Sequence, residues 1–389
     1  MCYWGLGCCG PPPWATIKAY NNTSPWALNW YDLKGSLVAR ECTIDAWPSA
    51  TPPIAVVSSG TGAPEEVLLV RDASDGSRHE DSSSSPLRPP NCSAGKTGMV
   101  TDNSTILWLA DWIGTIFGSG FATRMAAFNS SLAQQCQVDL SFLMNSMGRS
   151  GTSLNVGSHQ NTGLIARQYS SAGSLTASLS GTSLSSGGSQ VAAYTSRDGS
   201  TMMAWGISGG RRRNWRISPL IMSFVELTAM NGAVTTQSSI PATTSDIGKG
   251  DRLTSTHFAA QYTSSLIVVV QVATCLELWT LATGETFVAI DATNVYTIST
   301  STKVLTARAV GTGTTNWTLD LTGTIAPSSA TFGKFLSGGF LAVLTPTSPV
   351  AIVNVSTGAL VTSIDVGGYD IVERDNRYIV VGPKRTTAT

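Results

Sequence analysis

The sequence predicts an all-β chain assembled from repeated small sheets, and three observations carry that prediction. Two stretches, ELWTLATGETFVAID (277–291) and AIVNVSTGALVTSID (351–365), can be laid on each other, with Thr-Gly at the same place and Ile-Asp at the end. A third, LTARAVGTGTTNWTLD (305–320), again has Asp seven residues after its Thr-Gly glycine. The apolar runs beside these turns are short and rich in β-branched residues, as in SLIVVVQVA (265–273) and GFLAVLTPT (339–347), which favours strand over helix. Each unit reads as a meander in which Gly supplies the positive φ of a tight turn.

Taken in chain order, residues 1–25 read as an extended leader. It is aromatic and apolar, and Pro11–Pro13 stiffen it toward a polyproline conformation. WALNWYDLKGSLVARECTID (26–45) reads as a strand, a Lys34-Gly35 turn and a second strand. Weaker copies of the unit turn at Gly76, at Asn129-Ser130-Ser131, at Gly173 and at Gly209-Gly210. FVELTAMNGAVTTQSS (224–239) follows its neighbour too closely to fit the spacing. Two polar segments, about 82–98 and 240–256, read as loops inserted between units. Gly210, Gly284 and Gly358 are spaced by 74 residues (284 − 210 and 358 − 284), so two units per interval give a period near 37. Periods of this size mark propellers and solenoids. The closing stretch GYDIVERDNRYIVVGPK (368–384) supplies two strands, and sharing a sheet with the strands after Trp26 removes an otherwise open edge. The expectation is a β-propeller of seven to eight blades over residues 26–389, closed terminus to terminus, with the leader outside it.

The strand–strand–Thr-Gly–strand pattern around Gly284, Gly313 and Gly358 resembles the quinoprotein-type (pyrroloquinoline-quinone) repeat propellers and their WD-repeat-like relatives, over roughly residues 26–384. That resemblance implies a Trp after the turn, met at Trp317, with Trp215 a second candidate. It also implies a quinone under an adjacent cysteine pair, yet Cys8-Cys9 stands in the leader, outside the repeats. No acidic spacing for calcium is recognisable, so the expectation is no cofactor and no metal.

Composition narrows the function. Charged residues are 12% of the chain, about half the roughly 25% of ordinary soluble domains, and Lys+Arg and Asp+Glu balance at 24 each. A neutral chain lacks the self-repulsion that keeps monomers apart, and without a basic excess nucleic acid is not an expected partner. The seven cysteines are odd in number and irregular in spacing, which is not a disulfide framework. No signal peptide is recognisable at residues 1–14. TILWLADWIGTIFGSGFA (105–122) contains Asp111 and three Gly, and its apolar runs fall short of the roughly 20 residues of a membrane span.

Chemistry-bearing motifs are sparse. His79 reads as part of a charged turn, His159 as part of a polar loop, and His257 as a strand residue beside Phe258. SAGKTG (93–98) ends like a phosphate-binding loop, but the glycine that loop requires at position 90 is Pro90. No catalytic residue is assigned. The densest basic site is Arg211, Arg212 and Arg213 with Arg216, a solvated hairpin tip suited to an acidic neighbour. Tyr3, Trp4 and Trp14 are the other candidate partner contacts, as aromatic anchors on the leader. These features point to a non-enzymatic structural or interaction protein built into a large assembly, foremost a bacteriophage virion, as a tail nozzle, hub or fibre-attachment component. A cytoplasmic location is the alternative to the virion. A quinoprotein-like oxidoreductase and a carbohydrate- or peptide-binding propeller are the competing functions.

Overall fold

The computed structural model describes residues 14–23, 26–38, 41–46, 53–59, 67–72, 74–81, 98–101, 107–113, 122–129, 133–141, 144–150, 153–160, 163–180, 188–195, 201–208, 220–228, 234–242, 252–263, 266–274, 276–282, 284–328, 331–368, 370–374 and 376–383. Among these the chain is all β, apart from one 3-10 turn at Ser337–Gly339. Strands β1 (Trp14–Asn21) and β2 (Leu28–Val38) come first. Sheet I then holds β3 (Glu41–Ala46), β4 (Pro53–Ser59), β5 (Val67–Asp72) and β6 (Arg78–Asp81). Sheet II holds β7 (Gly98–Thr101), β8 (Leu107–Ile113), β9 (Ala122–Phe128) and β10 (Gln134–Leu140). Sheet III holds β11 (Met144–Ser150), β12 (Ser153–Gln160), β13 (Gly163–Tyr169) and β14 (Leu175–Ser180). Sheet IV holds β15 (Gly188–Thr195), β16 (Thr201–Ser208), β17 (Leu220–Thr228) and β18 (Val234–Ala242). Sheet V has three strands, β19 (His257–Thr263), β20 (Leu266–Gln271) and β21 (Leu276–Ala282). Sheet VI holds β22 (Glu285–Ile290), β23 (Asn294–Ser299), β24 (Val304–Ala309) and β25 (Thr315–Asp320). Sheet VII holds β26 (Phe332–Leu336), β27 (Phe340–Leu344), β28 (Val350–Asn354) and β29 (Leu360–Ile364). Sheet VIII joins β30 (Asp370–Arg374) and β31 (Arg377–Pro383) to β1 and β2, in the order β2-β1-β31-β30.

Every described sheet is antiparallel, sheets I to VII as chain-ordered meanders, and strands of neighbouring sheets lie beside one another. β3 neighbours β30 and β7, β7 neighbours β11, β11 neighbours β15, β22 neighbours β26, and β26 neighbours β30. The result is a β-propeller-like array of repeated sheets. Burial explains why so many strands read as unbroken apolar runs. On β23, Val295 packs toward sheet V while the next residue, Tyr296, packs toward sheet VII. On β27, Leu341 and Val343 face sheet VI, while Ala342 and Leu344 face sheet VIII. Alternate side chains point to opposite faces, and both faces are covered.

The structure corrects the phase of the repeat. Gly284 is no hairpin turn: β21 pairs with β20, and β22 pairs with β23, so Gly284 lies in the link between two sheets. The hairpin of sheet V lies between Gln271 and Leu276, where no glycine marks it. FVELTAMNGAVTTQSS, too close by spacing, contains a real hairpin between β17 and β18. The turn expected at Gly209-Gly210 lies outside the described residues. Gly76, Gly173, Gly313 and Gly358 do sit in turns at positive φ between paired strands.

The ends differ from the expectation too. Trp14–Asn21 is not leader but strand β1, paired with β31 from Ala15↔Pro383 to Asn21↔Arg377. Lys34-Gly35 is no turn; both lie inside β2, and the hairpin is at 22–27. The physical reason is the apolar pattern Ile17, Ala19, Tyr20, all buried, which belongs to a core strand. Asn22 and Trp26 then close the turn: the Asn22 N–H donates to Asn376 O at 3.0 Å, and Trp26 stacks on Tyr378 with centroids 5.9 Å apart. Of the expected loop insertions, residues 82–97 lie outside the described residues. The second begins later than expected, because β18 runs to Ala242 and Leu253 bridges to Phe258.

Candidate functional site

The feature that organises the molecule is a position repeated on the outermost strand of each sheet. The pairing between the last two strands of every described sheet shifts register beside the turn. The residue paired just before the shift is Trp30, Glu80, Cys136, Ala177, Thr236, Trp279, Trp317 or Thr362, in chain order. A bulge bends and twists an outer strand and blunts its open edge.

Two of these tryptophans dock in the same way. The Trp279 indole N–H donates to Val310 O at 2.7 Å, and that of Trp317 to Val355 O at 3.0 Å. Each ring covers a turn glycine of the following sheet. A Cβ on Gly313 (φ 72°) would stand 2.9 Å from Trp279 Cδ2, and one on Gly358 (φ 69°) 2.7 Å from Trp317 Cδ2. Cys136 occupies the equivalent place between sheets II and III, its thiol 3.7 Å from Ser171 O and against Gly173. Burial pushes that thiol's pKa up, which keeps it protonated and donating. Trp317 was legible in the sequence. Trp279 was not, because the glycine at 284 misplaced the turn from which it is counted. Trp215 lies outside the described residues.

Polar side chains complete the seams. Gln261 on β19 accepts from Phe287 N–H at 2.8 Å and donates to Glu285 O at 3.4 Å, tying sheet V to β22. Lys334 on β26 pairs with Asp370 on β30 at 2.9 Å. Glu373 accepts from Ser337 N–H at 2.7 Å and from Asn22 Nδ2 at 2.9 Å, joining sheet VII, β30 and the β1–β2 turn. Within sheet VI, Arg308 spans Glu285 at 3.0 Å and Thr315 Oγ1 at 3.1 Å, and the Thr297 hydroxyl also donates to Glu285. At the β22–β23 turn, Asp291 accepts from Thr293 and Asn294 N–H at 2.6 Å each and from the Tyr296 hydroxyl at 2.6 Å. Burial first, and then Asp291, pushes the Tyr296 phenol far above its ordinary range.

The sequence candidates fall as follows. Tyr3, Trp4, Arg211, Arg212, Arg213 and Arg216 lie outside the described residues, as does residues 93–97 of the phosphate-loop look-alike. Trp14 opens β1 opposite Val38. Neither His79 nor His159 is in a loop: His79 is in strand β6, at the register shift between the Arg71↔Arg78 and Val70↔Glu80 pairs, and His159 is in strand β12 opposite Leu164. His257 opens β19, as its strand assignment anticipated, with Nδ1 2.8 Å from Thr256 Oγ1; burial lowers its pKa. Gly206-Ile207-Ser208-Gly209-Gly210 has the spacing of a nucleophile elbow; Ser208 ends β16, and Gly209 and Gly210 lie outside the described residues. Among the described residues, no group of three His, Cys, Asp or Glu is placed to hold a metal ion, and no helix is long and apolar enough to cross a membrane.

No family profile and no curated protein matches this chain. Solved structures do. The computationally designed Ika8 protein is similar over 89% of this chain and 97% of its own, at 12% identity and a TM-score of 0.56. BamB from Moraxella catarrhalis is similar over 87% and 96%, at 13% identity and a TM-score of 0.47. The C-terminal WD40 domain of Sif2 is similar over 67% and 70%, at 11% identity and a TM-score of 0.43. At such identities the likeness is one of fold.

Proposed function

We propose that this chain is an eight-bladed β-propeller, closed by a blade drawn from both ends of the sequence, and that it serves as a non-enzymatic structural and interaction subunit of a large assembly. The setting that fits best is a bacteriophage virion, as a tail nozzle, hub or fibre-attachment component. The eight described sheets and the β1–β31 pairing support the blade count and the closure. The observation that carries the functional reading is where several described charged side chains of sheets VI, VII and VIII go. Glu285 is spent on Arg308, Lys334 on Asp370, and Glu373 on Ser337 and Asn22. These groups stiffen the body instead of converging on one substrate position.

Partner binding is then left to Tyr3 and Trp4 ahead of β1, and to Arg211, Arg212, Arg213 and Arg216 between β16 and β17, facing an acidic neighbour. Trp14 belongs to the rigid body as the first residue of β1. The test is to purify the tagged chain from its native source and identify what co-purifies by mass spectrometry, with elemental analysis and visible absorbance on the same sample. The expected result is other structural subunits in fixed proportion. A stoichiometric metal, a quinone-like absorbance, or recovery as a lone chain with turnover overturns the reading.

A further inference from the structure

We infer that copies of this chain stack head to tail, with residues 1–13 of one copy docking on a row of exposed leucines at the far end of the next. The inference rests on the reading of that segment as a partner contact, and it names the partner. Five large apolar side chains stand exposed among the described residues: Leu28 (46%), Leu175 (52%), Leu276 (58%), Leu278 (37%) and Leu360 (38%). All five lie on the outermost strand of a sheet, β2, β14, β21 or β29. Leu28, Leu175, Leu276 and Leu360 each open that strand, and Leu278 is the residue that the register shift of β21 leaves unpaired. Contacts between sheets V to VIII bring their outer hairpins to one end of the array. Trp279 on β21 reaches Val310 O at the hairpin of sheet VI, and Trp317 on β25 reaches Val355 O at that of sheet VII. Glu373 ties Ser337, in the β26–β27 turn, to Asn22, in the hairpin before Leu28. In a meander the β26–β27 turn and the β28–β29 hairpin share an end. Leu276, Leu278, Leu360 and Leu28 therefore form one row.

The segment ahead of β1 enters at the other end. Trp14 pairs with Val38 and Ala15 with Pro383, whereas Leu28 pairs with Tyr20. Its root and the nearest leucine of the row are thus separated by most of the length of β1, about 20 Å. Residues 1–13, MCYWGLGCCGPPP, carry Tyr3, Trp4 and Leu6 and no charged side chain, so they suit an apolar row. Tyr3 stands eleven positions before Trp14, a reach of about 36 Å when extended, and Pro11–Pro13 favour an extended course away from β1. Two copies stacked in the same sense set the segment of one against the leucine row of the next. The balance of 24 basic and 24 acidic residues puts no net repulsion between them. The contact joins two different surfaces, so it is heterologous and can repeat from copy to copy.

Sedimentation velocity on the full chain tests it, beside two variants: Leu276→Ser combined with Leu278→Ser, and removal of residues 2–12. The full chain should associate as its concentration rises. Each variant alone should associate on the order of a hundredfold more weakly and keep its cooperative melt. Mixed, the two should form a one-to-one dimer and go no further, because the leucine variant still offers its segment and the shortened chain still offers its row. If the double leucine variant does not fold, Leu360→Ser takes its place in the mixture. Variants that each still self-associate, or a mixture that stays monomeric, overturn the inference. So does a monomeric full chain whose shortened form melts earlier, which would put the segment on its own row. A monomeric full chain that nonetheless co-purifies with other subunits overturns the head-to-tail contact alone and leaves the proposed function standing.

Discussion

At Gly358 the backbone turns with φ 69°, and the ring of Trp317 lies where a Cβ would be, 2.7 Å away. Two costs therefore separate cleanly. Gly358→Ala should cost about 1–2 kcal/mol for the left-handed backbone alone, and more for the collision with the ring. Trp317→Ala should cost about 2–4 kcal/mol, from lost packing and from leaving Val355 O without its indole donor. In the double variant the collision is gone, so Gly358→Ala falls back to the backbone cost. Urea unfolding of the four proteins checks this, and strict additivity would contradict the docking geometry. Tyrosines give a second expectation. Burial, then Asp365, raises Tyr20 to about 12, and burial, then Glu373, raises Tyr378 to about 12, against an ordinary 10.0. The folded state thus favours the neutral phenol. The stability this contributes is fully present below pH 10 and is lost as pH climbs from 10 through 12. Phenolate absorbance and circular dichroism should show these tyrosines ionising together with loss of sheet; ionisation near pH 10 in an intact fold would refute it.

Among the elements, what could be read from sequence depended on whether a glycine marked the turn. At Gly76, Gly173, Gly313 and Gly358 the need for positive φ is written in the residue itself, and those hairpins are where they were expected. In sheet V the turn is held by other means: Thr274 Oγ1 accepts from Leu276 N–H at 3.3 Å and donates to Gln271 Oε1 at 3.1 Å. A side chain that supports a turn this way has no spacing signature, so the conspicuous Gly284 took its place and shifted the phase by one strand. The same limit hid the seams, because Gln261 reaches Phe287 across 26 residues and Asn22 reaches Glu373 across 351. Pairing between the two ends was legible as a deficit of strands at each, although the strand that meets β31 is β1 and not the stretch after Trp26. Deleting residues 371–389 tests the element. It removes β31, leaves the β1 ladder partnerless on one side, and uncovers Leu344 and Ile352, which pack against Ile371 and Val380. The truncated chain should lose its cooperative melt; an unchanged single transition would mean that sheet VIII does not hold the body together.

For the molecule as a whole, the question is how a neutral, charge-poor chain finds its neighbours. The proposed answer is the aromatic segment ahead of β1. Its attachment point is rigid: Ile17 and Ala19 are fully buried, and β1 is paired on both sides, with β2 and with β31. Pro11–Pro13 reduce what the segment must give up on docking. Aromatic anchors dominate interface energetics, so Tyr3 and Trp4 together can hold a subunit without a large charged face. The strand assignment sets where the test must cut. A deletion that passes Trp14 destroys β1 and confuses folding with assembly, whereas removing residues 2–12 spares the ladder from Ala15↔Pro383 onward. The shortened chain should keep its melting temperature within about 2 °C, as expected when no core or ladder contact is lost. It should nonetheless fail to enter the particle, measured as its share of the sedimenting assembly relative to the full chain. A shortened chain that melts earlier yet still assembles would show that the segment plugs its own propeller, and a chain unaffected in both would remove the segment from the mechanism altogether.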